Sequence, residues 1–401
     1  MRRKPVVVEL FAGICGASLA FEESGFDIGF LADWDESARK AFLHNYPRLT
    51  DRYHSIDIRK ISAPEVRRRS GADIAGVLGC PPCQGLSDVG PRKHVDRRNH
   101  LLDEFTRLVK GTQPAFFVME NVPRILDYGR FQRALALLAG RYNIWAGVLN
   151  GALYGLPQTR QRVIAIGYSR DLGITPLPPP PTHGWIRPVY AYDLLRILHP
   201  DDKFSSSILG RYRGARGSSS RAPQRFSRAV LPLVTCADAL SDLPVPNGRD
   251  LNSYRCSATT SYQKWARFGT AGVINHQAWN HTENLLRRMK RIGPGESLLS
   301  RYGREDHEYY SQAYGRLHRH GLARTITTNF HNPGSGRFLH YAQNRSLTVR
   351  EAARLQGIPD RFAFPDDIPL TLQERIVGNT FPFIWAQAIA AQVAKQIGKL
   401  L

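Results

Sequence analysis

Val6-Val7-Val8-Glu9-Leu10-Phe11-Ala12-Gly13-Ile14-Cys15-Gly16 is a β-branched run that passes straight into a glycine-bearing loop. Such a run predicts a short buried strand, and the loop predicts a tight turn into a helix over Ala17 to Ser24. The same rhythm continues outward. Ile28 to Ala32 is a second strand ending in Asp33-Trp34-Asp35, and Ser37 to Tyr46 is a helix. Ile74 to Leu78 and Ala115 to Met119 are further strands, with helices over Leu101 to Lys110 and Phe131 to Ala139. Tyr142 to Leu149 and Arg162 to Tyr168 complete the set of strands. Short continuous apolar runs between helices indicate an α/β fold, with a mostly parallel sheet covered on both faces.

The rhythm stops near residue 175. Pro176 and Pro178 to Pro181 predict a stiff linker. Residues 183 to 334 are rich in Arg, Ser, Tyr and Gly, and predict a less regular domain. Order returns with helices over Val349 to Gln356 and Phe383 to Ile397. The expected organisation is a first domain over 1–182, an irregular domain over 183–334, and a segment over 335–401 that returns to the first.

The chain has 401 residues, 42% of them hydrophobic, with a formal net charge of +21. That excess favours a polyanionic partner, nucleic acid above all, over a merely basic soluble enzyme. Five cysteines in this length argue against a disulfide scaffold. Cys80 and Cys83 form a C-x-x-C pair, but no second pair completes a zinc site. No signal peptide and no membrane-length apolar run appear, so the expectation is a cytoplasmic protein without a membrane partner.

The chemistry concentrates at strand ends. Cys83 sits in Gly79-Cys80-Pro81-Pro82-Cys83-Gln84-Gly85-Leu86-Ser87, where two prolines stiffen the approach to a nucleophilic thiol. Glu120-Asn121-Val122 follows an apolar run, and Arg160 and Arg162 stand in Gln158-Thr159-Arg160-Gln161-Arg162. A thiolate, a carboxylate and two guanidiniums form a covalent active site. The first loop suits a nucleotide cofactor over the carboxyl ends of the strands. Asp33 can accept from ribose hydroxyls, Trp34 can stack on adenine, and Asp57 can hold an exocyclic amine. Acidic groups suit a ribose and a sulfonium better than a phosphate, and the loop lacks a P-loop lysine. These residues point to S-adenosylmethionine. The plainer readings are a glycine turn that only turns, and an Asp33 that only caps a strand end.

Taken in order, these motifs resemble those of the DNA cytosine-5 methyltransferases of bacterial and archaeal restriction systems. Phe11 to Gly16 is similar to the family's first motif, with Cys15 in place of the usual glycine. Asp33 stands where the family commonly has glutamate. Gly79 to Ser87 resembles the Pro-Cys motif, Glu120-Asn121-Val122 the glutamate motif, and Gln158 to Arg162 the Gln-x-Arg-x-Arg motif. Arg345-x-Leu347-Thr348-x-Arg350-Glu351-x-Ala353-Arg354-Leu355-Gln356-Gly357 and Gly378-Asn379-Thr380 resemble the C-terminal motifs. The likeness covers most of the chain outside the middle segment.

The resemblance implies a Rossmann-like S-adenosylmethionine-dependent methyltransferase fold with a smaller, irregular target-recognition domain. It implies a methyl transfer to C5 of cytosine through a covalent Cys83–C6 adduct, on a base flipped from the duplex. Glu120 would bind N3 and N4, Arg162 would bind O2, and Arg160 would help orient the cytosine. Asn121 would brace the loop around Pro82 and Cys83, and Cys80 would be a packed neighbour with no required role. Cofactor contacts would come from Phe11, Gly13, Ile14, Cys15, Gly16, Asp33, Trp34, Asp57, Ile58, Pro82, Asn379 and Thr380. Ser87, Arg92, Lys93, Arg97 and Arg98 would close a basic loop on double-stranded DNA. Arg211 to Arg228 would neutralise phosphates, and Arg255, Gln263 and Lys264 are candidates for base reading.

A cognate restriction endonuclease, acting separately, is the partner such a system implies, although no residue points to one. A monomer holds all the chemistry, and no metal is expected. Three other readings stand beside this one: the same chemistry on transfer RNA, an inactive DNA-binding homologue, and a redox enzyme built on Cys80 and Cys83. The last leaves Glu120, both arginines and Asn379 without a purpose.

Overall fold

A computed structural model describes residues 3–82, 100–184, 231–248, 251–302 and 311–398. The first half alternates as the apolar runs predict: β1 (Val6–Leu10), α1 (Gly16–Glu23), β2 (Asp27–Asp33), α2 (Glu36–Asn45), β3 (Tyr53–Ser55), α3 (Ala63–Ser70) and β4 (Ile74–Gly79). Then follow α4 (Leu101–Thr112), β5 (Phe116–Asn121), α5 (Gly129–Ala139), β6 (Tyr142–Asn150), β7 (Gln158–Thr159) and β8 (Gln161–Ser169).

Seven strands form one sheet in the order β3-β2-β1-β4-β5-β8-β6. The pairs from β3 through β5 are parallel, and β8 runs antiparallel to both its neighbours. The chain moves outward from β1 to β2 and β3, then returns to pair β4 with the other edge of β1. That reversal opens a crevice at the carboxyl ends of β1 and β4, where ligands of open α/β sheets bind. Alternation sends successive side chains to opposite faces. Val7, Leu31, Leu78, Val118 and Ile164 pack under α1 and the C-terminal helix, while Leu10, Ala32, Met119 and Val163 join the core with Phe105 and Leu108 of α4.

The second half is built differently. Two short strands, β9 (His183–Gly184) and β10 (Leu231–Pro232), pair with each other. After them come α6 (Cys236–Leu240), α7 (Ser261–Ala266), α8 (Glu283–Lys290), α9 (Leu298–Tyr302), β11 (Ala323–Arg324), α10 (Val349–Leu355), α11 (Leu370–Asn379) and α12 (Phe383–Ile397). One apolar core runs from Cys236 through Phe330 to Val377, without a break at residue 334. Ile14, Ala38 and Ala41 of the first half belong to this core as well. The helix α10 ties it together. Arg350 donates to the Phe362 and Ile274 carbonyls, and Arg354 pairs with Asp242 and Asp360, with both arginines and both aspartates buried. The last helix returns to α1 on the sheet, with Trp385, Ile389 and Val393 in the sheet's own core. Among the described residues, no helix is long and apolar enough to cross a membrane.

Candidate active site

The loop after β1 carries three left-handed residues, Phe11 (φ 60°), Gly13 (φ 52°) and Cys15 (φ 57°). Two of these are not glycine, and each such residue costs roughly 1–2 kcal/mol. The loop is held from beneath. Asp33 Oδ2 accepts from the Gly13 amide at 2.8 Å, and Asp33 Oδ1 from the Asp35 amide at 2.9 Å. The Tyr53 hydroxyl donates to the Gly13 carbonyl at 2.7 Å. Burial pushes the Asp33 carboxyl up, and the amide bonds from Asp35 and Gly13 oppose that.

The expected cofactor contacts divide once they are placed. A Cβ on Gly13 would meet nothing within 4 Å, so the loop faces open space there. Trp34 is 68% exposed beside Asp33, an uncovered indole at the end of β2. Phe11 and Pro82 are half-buried, and Asn379 is exposed at the end of α11. The Asp57 carboxylate caps the turn at Ile58 and is engaged by Arg59, while Ile58 itself is buried. Cys15 is fully buried, its amide donating to the Ala12 carbonyl and its carbonyl accepting from the Leu19 amide, so it shapes the loop from within. A Cβ on Gly16 would lie 2.4 Å from the Phe381 carbonyl oxygen, so this glycine serves close packing of α1 on the C-terminal turn. Thr380 is buried, with its hydroxyl donated to the Ile376 carbonyl.

No motif marks Glu9, yet it lies beneath the first loop. Its carboxylate lies 3% exposed and accepts from the Ser18 amide in the first turn of α1, at 2.8 Å. Burial, opposed by that bond and aided by the Asp33 charge, pushes it up to about 7. A carboxylate in the middle of Val-Val-Val-Glu-Leu was the signal available.

The second cluster lies at the ends of β4, β5 and β8. Arg162 Nε stands 2.7 Å from Glu120 Oε1, yet off the hydrogen-bond axis, so that among the described residues this buried oxygen has no aligned donor. Arg160 is 3% exposed and donates to the Ile326 carbonyl at 3.2 Å, while among the described residues its Nε has no partner. Burial, then the Arg162 charge, pulls the Arg160 guanidinium down. The Asn121 side chain donates to the Pro81 carbonyl at 2.8 Å, and so braces the chain just before Pro82.

Cys83, Ser87, Arg92, Lys93, Arg97 and Arg98 lie outside the described residues, as does the basic stretch from Arg211 to Arg228. Of the candidate base readers, Arg255 and Lys264 are exposed. Gln263 is not a base reader: it is fully buried, and its side chain completes a capping box with Thr260 and donates to Ser241. The Thr-x-x-Gln spacing at a helix start carried that signal. Among the described residues, no group of three or more His, Cys, Asp or Glu is arranged to hold a metal.

A model of the C-5 cytosine-specific DNA methylase family matches residues 6–395. The chain is 28% identical to the type II methyltransferase M.DdeI of Desulfomicrobium norvegicum, over 97% of this chain and 88% of that one. It is 29% identical to M.XorII of Xanthomonas oryzae, over 99% and 86%. Its fold is similar to that of a protein described as a DNA modification methyltransferase encoded within an E. coli prophage, with a TM-score of 0.71, 23% identity, and 98% and 99% coverage. The Dnmt2 methyltransferase of S. pombe has the same fold at a TM-score of 0.57, 15% identity and 99% coverage of both chains. With the family's model matched across almost the whole sheet and both clusters at its strand ends, the chain belongs to the C-5 cytosine-specific DNA methylases and is a DNA (cytosine-5) methyltransferase.

Proposed function

We propose that the protein methylates C5 of cytosine within a specific sequence of double-stranded DNA, on a base flipped out of the helix, through a covalent adduct between Cys83 and C6. The observation that carries this reading is the Glu120–Arg162 pair, at 2.7 Å with a carboxylate oxygen left unaligned, beside the Cys80-Pro81-Pro82 approach to Cys83. A buried polar atom without a partner suits a site that a ligand completes.

The residues of the first loop fit S-adenosylmethionine. Gly13 opens on free space, Trp34 offers an uncovered aromatic face, and Asp33 supplies negative charge at the strand end. When bound, this cofactor supplies C5 with a methyl group from its sulfonium.

The protein's own groups do the rest. The Cys83 thiolate adds to C6 and makes C5 nucleophilic. Glu120 binds N3 and N4, stabilising the charge that builds in the ring, and Arg162 binds O2. A base, water included, removes the C5 proton, and elimination then releases Cys83. Arg160 holds the Gln158–Arg162 segment against Ile326 and so fixes where Arg162 stands. The net charge of +21, with Arg92, Lys93, Arg97, Arg98, Arg255 and Lys264, favours the phosphate backbone of the substrate.

The test is methyl transfer from labelled S-adenosylmethionine to duplex DNA, RNA and transfer RNA, followed by bisulfite mapping. Label at C5 of cytosine in one short duplex sequence is the expected result. Label in RNA alone would overturn the substrate. Cys83→Ala should abolish transfer and leave DNA binding intact, and normal turnover by that variant would overturn the covalent step.

A further inference from the structure

Cys80 has no part in the reaction as written, yet the sheet sets it beside Glu120. The strands β4 and β5 are parallel, with Gly79 opposite Met119. The Asn121 side chain then donates to the Pro81 carbonyl at 2.8 Å, so the two chains stay tied together on both sides of the 80/120 pair. Partners across a parallel pair point to the same face. The packing agrees: Leu78, Val118 and Cys80 lie against one core cluster, while Met119 and the Phe105 ring that crowds Gly79 belong to the opposite one. Cys80 therefore flanks Glu120 on one side, with Arg162 Nε 2.7 Å from Oε1 on the other.

We propose that Cys80 is a positioning residue for methyl transfer: its thiol donates a hydrogen bond to the Glu120 carboxylate and, with Arg162, fixes that carboxylate for the cytosine edge. The proposal rests on the functional reading above and deepens it. Burial first, and then the Glu120 and Glu9 charges, push the Cys80 thiol well up. It thus stays protonated, a donor and not a second nucleophile. The two cysteines of the C-x-x-C pair then have opposite duties. Cys83 must ionise to act, and Cys80 must not.

Cys80→Ala removes the donor, and Cys80→Ser keeps one in nearly the same place. Losing one hydrogen bond to a charged group should lower kcat of Cys80→Ala about tenfold. Its affinities for S-adenosylmethionine and for duplex DNA should be unchanged, and its pH–rate profile should be displaced from that of the parent. Cys80→Ser should recover to within about twofold of the parent rate, with the parent profile. Parent-like turnover by Cys80→Ala would overturn the proposal. So would equal losses in both variants with reduced cofactor affinity, since that is what a purely packed side chain gives. A parent protein that methylates no duplex would overturn the underlying reading and this proposal with it, and is recognised before any variant is made.

Discussion

The two halves of this protein bury charge in opposite ways. In the C-terminal half, every charge of the α10 network meets its complement. Arg354 lies between Asp242 and Asp360, and Arg345 forks onto Glu351 with bonds of 2.7 and 2.6 Å. In the sheet half, the strand-end cluster leaves Glu120 Oε1 and Arg160 Nε without aligned partners among the described residues, and Trp34 stands open to solvent. Buried charge that is fully paired builds a scaffold, because nothing remains to bind a ligand. Buried polar atoms that lack partners mark where the energy of folding has been left incomplete, and a substrate can complete it.

Breaking the paired half should have the largest effect. Arg354→Ala leaves Asp242 and Asp360 buried without their cation, and should cost about 3–5 kcal/mol of stability in chemical denaturation. A loss near zero would mean the network is not the lock between α6 and α10.

In the unpaired half the same kind of change should act on rate. Glu120→Gln should lower kcat on the order of 100-fold with little change in melting temperature. A large loss of stability with normal turnover would reverse the comparison.

Glu9 lies between these extremes, since its carboxyl is buried with a partner yet pushed up to about 7. The folded protein holds that proton where the unfolded chain, with its ordinary value near 4.5, has released it. The stability it contributes is therefore full below about pH 4.5 and lost as the pH rises through about 7. Glu9→Gln should be more stable than the parent by about 3 kcal/mol at pH 8, with the difference vanishing near pH 4. Urea unfolding across that range checks this, and a constant difference would place the titration elsewhere.

The smallest effect concerns the strained loop. Cys15 is left-handed and fully buried, so glycine relieves strain while losing packing. Cys15→Gly should exceed Cys15→Ala in stability by about 1 kcal/mol, against the usual order. Alanine above glycine would show that the loop relaxes to an ordinary backbone.

Much of this was legible in the chain. The alternation of apolar runs and helices gave the parallel sheet, because a strand covered on both faces must be apolar throughout. Glu120, Arg162, Asp33 and Trp34 declared themselves by standing where such runs stop, which is where an α/β sheet binds ligands. The capping box at Thr260 and Gln263 was legible too, in a spacing taken instead for base recognition.

Other features depend on contacts between residues far apart, and no local pattern reports them. The pairing of Arg354 with Asp242 spans 112 positions, and it joins a middle segment that looks irregular to a helix near the C-terminus. Gly16 looks like a cofactor glycine until the Phe381 carbonyl, brought back by the chain's last turn, fills the space beside it. Cys80 is likewise just a neighbour of Cys83 in sequence. The register of β4 on β5 makes it a neighbour of Glu120. Sequence determined which chemical groups the protein has and which strand ends carry them, since local apolar periodicity is a property of the chain alone. Tertiary structure decided which of those groups are satisfied and which are left for a ligand, since that depends on the partner each one finds across the fold.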